Sequence, residues 1–242
     1  MLAGKPVFIE KPIALSMEDA EAITAQAKAR DVFVAVGHVV RFFPGYMEAA
    51  QGVRSGAVGD VAAVRLRRGG GMPGANGISP WYADHAKSGG VFIDLAIHDF
   101  DWLLWTCGPA VRVLARSVGA ATGQGPDHGL ATVTLASGAI AHVEATWMDP
   151  GPFRTAFEVA GSGGLIEYDS RQNASVRTAT TAELPMGGEA DPYARQWRAI
   201  RDALAVGAPA PAGPEAATSA LRLAHAALTS ARSGQPVELT TP

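Results

Sequence analysis

The sequence has very little cysteine, no excess of basic residues and no long apolar run, and each absence excludes a class of protein. A single cysteine, Cys107, in 242 residues excludes an internal disulfide framework. With 20 lysine and arginine residues against 23 aspartate and glutamate residues, the formal net charge of −3 does not favour nucleic-acid binding. No apolar stretch approaches the ~20 residues that span a bilayer. We therefore expect a soluble, cytoplasmic protein with no nucleic-acid or membrane partner.

The first 37 residues alternate between strand and helix patterns. Val7–Ile9 is a short apolar run, and Ser16 is a typical N-cap that precedes two acidic residues. The segment "VFVAVG" (32–37) is apolar throughout and rich in valine, which is typical of a strand buried on both faces. Strand, helix and strand in this order predict a βαβ unit of a parallel sheet. Because two strands do not make a stable parallel sheet, we interpret residues 1–37 as part of a larger α/β domain.

From residue 38 to residue 242 the pattern predicts a second domain of α+β type. A helix over Tyr46–Ser55 and a strand over "VAAVRLRR" are followed by a helix from about Gly89 to Thr106. Five strand-like runs with short connections then follow, which is typical of antiparallel neighbours. Two more helices close the chain and are free to pack back on the first domain. The predicted fold is an α/β remnant joined to an open, mainly antiparallel sheet with helices on one side.

One apparent nucleotide-binding motif is rejected. The segment "GGGMPG" (69–74) satisfies the pattern G-x-G-x-x-G. The motif binds a pyrophosphate only where the glycine loop opens a helix. Here Pro73 and "ANGISP" follow, so we predict no helix and no dinucleotide site at this point.

A predicted helix over residues 88–105 carries ionisable residues in a largely apolar setting. Asp94 and His98 are four residues apart and share one helix face. Ionisable groups in a buried helix are costly unless they are paired or used in chemistry. Spacing alone leaves open a structural hydrogen bond between the two side chains, a helix cap, a catalytic pair, and a metal pair that has no evident third ligand.

A second candidate is the segment Glu10-Lys11-Pro12, which follows the first buried strand. Strand ends of parallel sheets are where α/β proteins place binding and catalytic groups, although a lone "EKP" is more often a surface ion pair before a helix. Arg41 follows the next strand and is expected near the same edge. The loop before the Asp94 helix contributes Trp81, Tyr82 and His85, which either line a pocket or serve ordinary packing.

The chain resembles the Gfo/Idh/MocA family of NAD(P)-dependent oxidoreductases, which act mostly on sugars, cyclitols and related polyols. The similarity runs from Gly4 to Leu239, and the segments at 3–16 and 88–105 in combination are highly specific. It rests on the segments "AGKPVFIEKPIALS", "VAVGHVVRFFPGY", "SGAVGDV", "SGGVFIDLAIHDFDWLLW", "ASGAIAHVEATW" and "ARSGQPVEL".

The resemblance implies a hydride transfer at a secondary alcohol, with NAD or NADP as cofactor and a small polyol or sugar as substrate. It makes Lys11, Asp94 and His98 the catalytic group: His98 as general base, Asp94 as the residue that orients substrate or imidazole, and Lys11 as the charge that stabilises the alkoxide. The division of proton transfer between Lys11 and His98 stays open. The remaining implied contacts are to the cofactor from Glu10, Lys11, Pro12 and Arg41, and to the substrate from Trp81, Tyr82 and His85 together with the catalytic three.

The resemblance also places "EKP" in the fifth strand of a Rossmann domain. The glycine-rich turn and the ribose-reading residue would then lie before Met1, in a missing segment on the order of 80–100 residues long. Our expectation is a misassigned start codon or a gene fragment, and poor NAD(H) binding by the chain as given. Assembly into a dimer or tetramer through the open sheet is expected. Two alternatives remain: an inactive substrate-binding and oligomerisation fragment, and, more distantly, a hydrolase or metal enzyme built on Asp94, His98 and Asp101.

Overall fold

A computed structural model describes residues 3–72, 81–82, 84–119, 127–171, 176–178, 183–184 and 191–240. The rejected "GGGMPG" motif ends at Gly74, outside these residues. Within the described part of the chain, no helix is both long and apolar enough to cross a membrane.

The amino-terminal segment forms the predicted βαβ unit. Strands β1 (Val7–Ile9) and β2 (Val34–Val36) pair in parallel, and helix α1 (Met17–Ala29) connects them. Ser16 caps the helix, because its Oγ accepts a hydrogen bond of 3.0 Å from the backbone N–H of Asp19. Both strands therefore end at the same edge of their sheet. The residues that follow Ile9 and Val36 lie at that edge.

A nine-stranded sheet forms the body of the described molecule, in the order β10-β9-β8-β7-β3-β6-β5-β4-β11. All its described pairings are antiparallel except β3 with β6, which is parallel. The bounds are β3 Val61–Gly69, β4 Ala110–Val118, β5 His128–Leu135, β6 Ile140–Thr146, β7 Arg154–Gly161, β8 Gly164–Asp169, β9 Val176–Thr178, β10 Glu183–Leu184 and β11 Val237–Glu238.

Helices cover one face of this sheet, which buries alternate residues of the central strands. The helical elements are a 3₁₀ turn Val39–Phe42, α2 Tyr46–Arg54, α3 His85–Ser88, a π-helical turn Phe92–Ala96, α4 Ile97–Cys107, α5 Pro192–Ala205 and α6 Pro214–Ser233. The predicted fold class, a Rossmann-like remnant with an open, mainly antiparallel sheet, is confirmed.

Helix α6 joins the two parts of the molecule. Its Thr218 hydroxyl lies 2.9 Å from the hydroxyl of Thr24 on α1, and Ser230 Oγ accepts a hydrogen bond of 2.9 Å from Ala115 N on β4. Just before α6, Ala212 O accepts from Val36 N on β2 at 2.9 Å. The C-terminal helix thus packs back on the first segment. The proposed division at residues 37 and 38 stays a prediction.

Candidate active site

Lys11 and Asp94 join the βαβ unit to the helix that crosses the second part of the molecule. Lys11 lies two residues beyond β1, and its peptide bond to Pro12 is cis. The Lys11 Nζ donates to the backbone oxygen of Asp94 at 2.7 Å and to Asp94 Oδ1 at 2.8 Å. Asp94 is buried and Lys11 is partly buried, so this charge-assisted pair is shielded from solvent.

The helix that carries Asp94 and His98 contains a π-helical turn. Gly89 and Gly90 have φ values of +76° and +74°, which separate it from α3. The turn Phe92–Ala96 then contains Asp94, and His98 follows in the first turn of α4. Single π turns occur frequently at functional sites because they change which side chains share a face. Both side chains line one cavity, as the spacing predicted, but the Asp94 carboxylate bonds to Lys11.

His98 is held in its neutral form by its surroundings. Burial lowers the pKa of His98 well below its ordinary value of 6.5, and the positive charges of Lys11 and Arg68 lower it further. Its Nδ1 is buried with no hydrogen-bond partner among the described residues. His98 lines the cavity, and its Nε2 is not among the buried ring nitrogens that lack a partner in the described residues.

Two more buried carboxylates of the same helix bind arginines from other elements. Asp99 accepts from Arg68 Nε and Nη2 on β3, both at 2.9 Å. Asp101 accepts from Arg41 Nε at 2.8 Å and from Nη2 at 2.5 Å. In a bidentate pair, two hydrogen bonds fix the relative orientation of the two side chains in addition to pairing their charges. The two pairs therefore set the position of α4 against β3 and the 3₁₀ turn.

A cavity of about 300 Å³ brings most of the predicted residues together. Such a volume is at the small end of small-molecule sites. The predicted residues that line it are Glu10, Lys11, Tyr82, Asp94 and His98.

The other predicted residues lie elsewhere. The guanidinium of Arg41 is turned away into its pair with Asp101 and borders a separate, mostly apolar cavity. Trp81 packs edge-on against Tyr82, with ring centroids 5.1 Å apart. His85 directs Nε2 to Asp127 Oδ1 at 3.8 Å. Pro12 fixes the chain next to Lys11 but does not line the cavity. Contacts from these four to ligand stay predictions.

Nine lining residues were missed by the sequence analysis: Gly37, Val39, Val40, Phe43 and Leu95, together with Arg68 and three aromatic residues far from it in the sequence, Trp147, Phe153 and Tyr193. A signal was present for Arg68, because Val64, Leu66 and Arg68 occupy alternate, inward positions of one strand. The three aromatic residues come from segments after β6, before β7 and in α5, and no local pattern links them. The metal alternative gains no support, because the described residues contain no group of three or more His, Cys, Asp or Glu side chains arranged for an ion.

Comparison with known families agrees with this geometry. The family model described as "GFO/IDH/MocA C-terminal domain" matches residues 46–167, and that described as "Oxidoreductase family, NAD-binding Rossmann fold" matches residues 1–38. The chain belongs to the Gfo/Idh/MocA oxidoreductase family. The Rossmann match stops at His38, one residue after the division that the sequence pattern predicted.

Individual relatives point to the same family. A scyllo-inositol 2-dehydrogenase (NAD(+)) from Bacillus subtilis is 32% identical over 67% of this chain and 48% of its own length. Myo-inositol dehydrogenase Hyg17 from Streptomyces leeuwenhoekii is 32% identical over 96% of this chain and 73% of its own length. The crystal structure of GenD2 from gentamicin A biosynthesis, in complex with NAD, has a TM-score of 0.85 at 27% identity and covers 99% of this chain and 73% of that chain. The matched region thus spans about half of the first relative.

Proposed function

We propose that this chain carries the reaction centre of an NAD(P)-dependent dehydrogenase that oxidises a secondary alcohol of a sugar, cyclitol or related polyol. The observation that carries the proposal is the single cavity that Lys11, Asp94 and His98 share, in a chain similar to two inositol dehydrogenases. Oxidation of an alcohol needs a proton acceptor at the hydroxyl and a hydride acceptor at its carbon.

His98 is the proposed proton acceptor. Its lowered pKa keeps the imidazole neutral at physiological pH, so a lone pair is available on Nε2. A base of low pKa is weak, and it accepts a proton efficiently only if the alcohol is acidified at the same moment. The adjacent positive charge of Lys11 supplies that effect.

Lys11 is the proposed stabiliser of the developing alkoxide. Asp94 uses two of the three N–H bonds of the Lys11 ammonium, one through its backbone oxygen and one through Oδ1. One N–H therefore stays available for the substrate oxygen, in a site that is largely shielded from water. Asp94 holds Nζ in place and keeps a second carboxylate oxygen for a substrate hydroxyl.

The nicotinamide cofactor, NAD or NADP, supplies the hydride acceptor when it is bound. The wall formed by the ends of β1 and β2 fits its nicotinamide end, because Gly37 presents bare backbone beside Glu10 and Lys11. A Cβ on Gly37 would lie 2.7 Å from Glu10 Oε2, so a side chain there would displace that carboxylate. Glu10, Lys11 and Gly37 are the residues that would hold this end of the cofactor.

The test compares wild type with His98→Ala, both in a form that includes the complete Rossmann domain, because the chain as given is expected to bind NAD(H) poorly. Wild type should reduce NAD⁺ or NADP⁺ with inositols or sugars. The variant should lose roughly 10²–10⁴-fold in turnover, because it lacks the proton acceptor. Its affinity for NAD(H), measured by calorimetry, should change by no more than a few-fold. Turnover that survives within a few-fold would show that His98 is not the base.

A second candidate is a polyol-binding and assembly module that transfers no hydride. The observation that favours it is the outer face of the sheet, which carries exposed apolar and charged side chains over a concavity of about 540 Å³. Polyol binding without reduction of either cofactor, by a form that includes the complete Rossmann domain and over all polyols tested, would favour this candidate over the dehydrogenase.

A further inference from the structure

We propose that the catalytic cavity continues into a second, aromatic subsite that receives a sugar ring joined to the reacting polyol. The substrate is then a glycosylated cyclitol or sugar and not a free monocyclic polyol. The subsite, here called the aromatic arm, consists of Trp81, Tyr82, Trp147 and Phe153. The inference rests on the proposed function, since it extends the same cavity.

The four rings of the aromatic arm contact each other in series. Ring centroids are 5.1 Å apart between Trp81 and Tyr82, 6.2 Å between Tyr82 and Trp147, and 6.1 Å between Trp147 and Phe153. Tyr82, Trp147 and Phe153 line the catalytic cavity, whereas Trp81 lies beyond it. The series therefore begins beside the catalytic group and continues outside the cavity.

The arm is exposed at its two ends and partly buried between them. Trp81 is 37% exposed and Phe153 is 52% exposed, and Tyr193 at the same cavity is also exposed. Tyr82 and Trp147 are half-buried, and Trp147 also packs against the hydrophobic core. Several exposed aromatic residues around one cavity are typical of a binding surface.

Backbone contacts hold the arm in position without a ligand. Ser88 Oγ donates to Tyr82 O at 3.1 Å, and Trp147 N donates to Asp127 O at 2.8 Å. Phe153 packs against Gly70, where a Cβ would come within 3.1 Å of its ring. A preorganised surface loses less entropy when it binds a ligand than a loop that must first become ordered.

The chemistry of the arm matches a sugar ring. None of the four side chains of the arm carries a charge. The charged residues Lys11, Asp94 and Arg68 are among the other residues that line the cavity. A pyranose presents a C–H face to an aromatic ring and hydroxyl groups at its edge. The Tyr82 hydroxyl and the Trp147 indole N–H can bind such hydroxyls. A purely hydrocarbon substituent would leave these polar groups unused.

The first experiment measures binding to the full chain by ligand-detected NMR, with NAD⁺ present and absent. The probes are myo-inositol, a hexosyl-inositol and a phenyl-substituted inositol. We expect the hexosyl-inositol to bind about tenfold more tightly than myo-inositol, as two ring-stacking contacts would provide. Equal or weaker binding overturns the proposal. Tighter binding of the phenyl compound than of the hexosyl compound overturns the assignment of a sugar.

Substitutions in the aromatic arm then test whether the arm causes the difference in affinity between hexosyl-inositol and myo-inositol. Trp81→Ala and Phe153→Ala should bring the ratio of the two affinities close to one, and both residues are exposed enough for the fold to tolerate the change. Ile140→Ala is the control, because Ile140 is 46% exposed at the other end of β6 from Trp147 and should leave the ratio unchanged. A ratio that persists in both arm variants refutes the proposal.

The outcomes separate this inference from the proposed function. Preferred binding of the hexosyl compound, with no reduction of NAD⁺ or NADP⁺ by a form that includes the complete Rossmann domain, would retain the subsite and refute the dehydrogenase. Reduction of cofactor with equal affinity for myo-inositol and its hexosyl derivative would retain the dehydrogenase and refute the subsite.

Discussion

At the scale of single residues, the site depends on one shared electrostatic environment. The pKa of His98 is lowered first by burial and then by positive charge, and Lys11 is the first of those charges. The same ammonium is bound by Asp94, which fixes where its charge acts. The proposed base, His98, and the proposed alkoxide stabiliser, Lys11, are therefore coupled, and a change in one alters the proton affinity of the other.

This coupling predicts that Lys11→Met raises the pKa of His98 toward 6.5. The substitution removes a positive charge that opposes protonation, while burial of the ring continues to favour the neutral form. The measurement is an NMR titration of the His98 ring. Lys87→Met is the control, because Lys87 is an exposed cation of α3 that pairs with Asp84. An unchanged His98 titration in Lys11→Met would show that the ammonium does not act on this imidazole.

The lowered pKa of a second histidine, His38, allows a prediction of how the free energy of unfolding depends on pH. His38 is buried, both of its ring nitrogens lack a hydrogen-bond partner among the described residues, and burial lowers its pKa below 6.5. Above pH 6.5 the ring is neutral in both the folded and the unfolded chain. Below pH 6.5 the unfolded chain binds the proton more readily, so the free energy of unfolding falls as pH falls.

Urea denaturation at several pH values between 7.5 and 5 tests this prediction. His38→Met should flatten the decline by up to about 1.4 kcal/mol per pH unit, the value for one proton. At pH 7.5 the protonation effect is absent, so any difference between the two proteins there reports packing alone. Parallel declines in both proteins would mean that His38 titrates normally in the folded state.

At the scale of elements, helix α4 and its π-helical turn are held by three ion pairs with three different partners. Asp94 binds Lys11 from the loop after β1, Asp99 binds Arg68 from β3, and Asp101 binds Arg41 from the 3₁₀ turn. Buried ion pairs contribute little net stability but penalise every arrangement in which one charge is left alone. The three pairs therefore specify the position of the helix more than they stabilise the fold.

The Arg68–Asp99 pair gives a test of this interpretation. Arg68→Met should lower the free energy of unfolding by roughly 3–5 kcal/mol, because it leaves the fully buried Asp99 carboxylate unpaired. Adding Asp99→Leu to that variant should recover most of the loss, since no charge is then stranded. Urea denaturation of the four proteins completes the cycle. If the double variant were as unstable as Arg68→Met, packing and not charge would explain the loss.

Element boundaries were predictable because their signals are local. The N-cap Ser16 and the apolar runs each act over a few residues, and the structure has a helix and strands at those places. The position of β3 between β6 and β7 was not predictable. Its alternating pattern fits a parallel or an antiparallel neighbour equally well, and the choice depends on how distant strands pack.

The site was only partly predictable for the same reason. Lys11, Asp94 and His98 carry a recognisable sequence pattern, and the structure brings them to one cavity. Asp99 lies in the same apolar helix and could have been found by the rule that a buried charge needs a partner. The wall formed by Trp147 and Phe153 comes from the two ends of a connection between strands, which the sequence pattern does not bring together.

At the scale of the whole molecule, the described helices cover one face of the sheet, and no described element packs on the other. Leu114 and Leu130 on the outer face are exposed, and Arg65, Arg67, Glu144 and Glu158 form ion pairs across neighbouring strands there. A face that combines apolar side chains with charges of both signs can be complementary to a second copy of itself. We propose that two chains associate through this face.

Analytical ultracentrifugation of wild type and Leu130→Asp tests the association. Leu130 is 44% exposed on β5 and borders the outer concavity, so a carboxylate there would have to be desolvated between two sheets. Wild type should sediment as a dimer or larger assembly, and the variant should shift toward monomer at the same concentration. Val206→Asp is the control, because Val206 is 78% exposed just after α5, away from the sheet, and should leave the assembly intact. A monomeric wild type, or an assembly that Leu130→Asp does not weaken, would place the interface elsewhere or remove it.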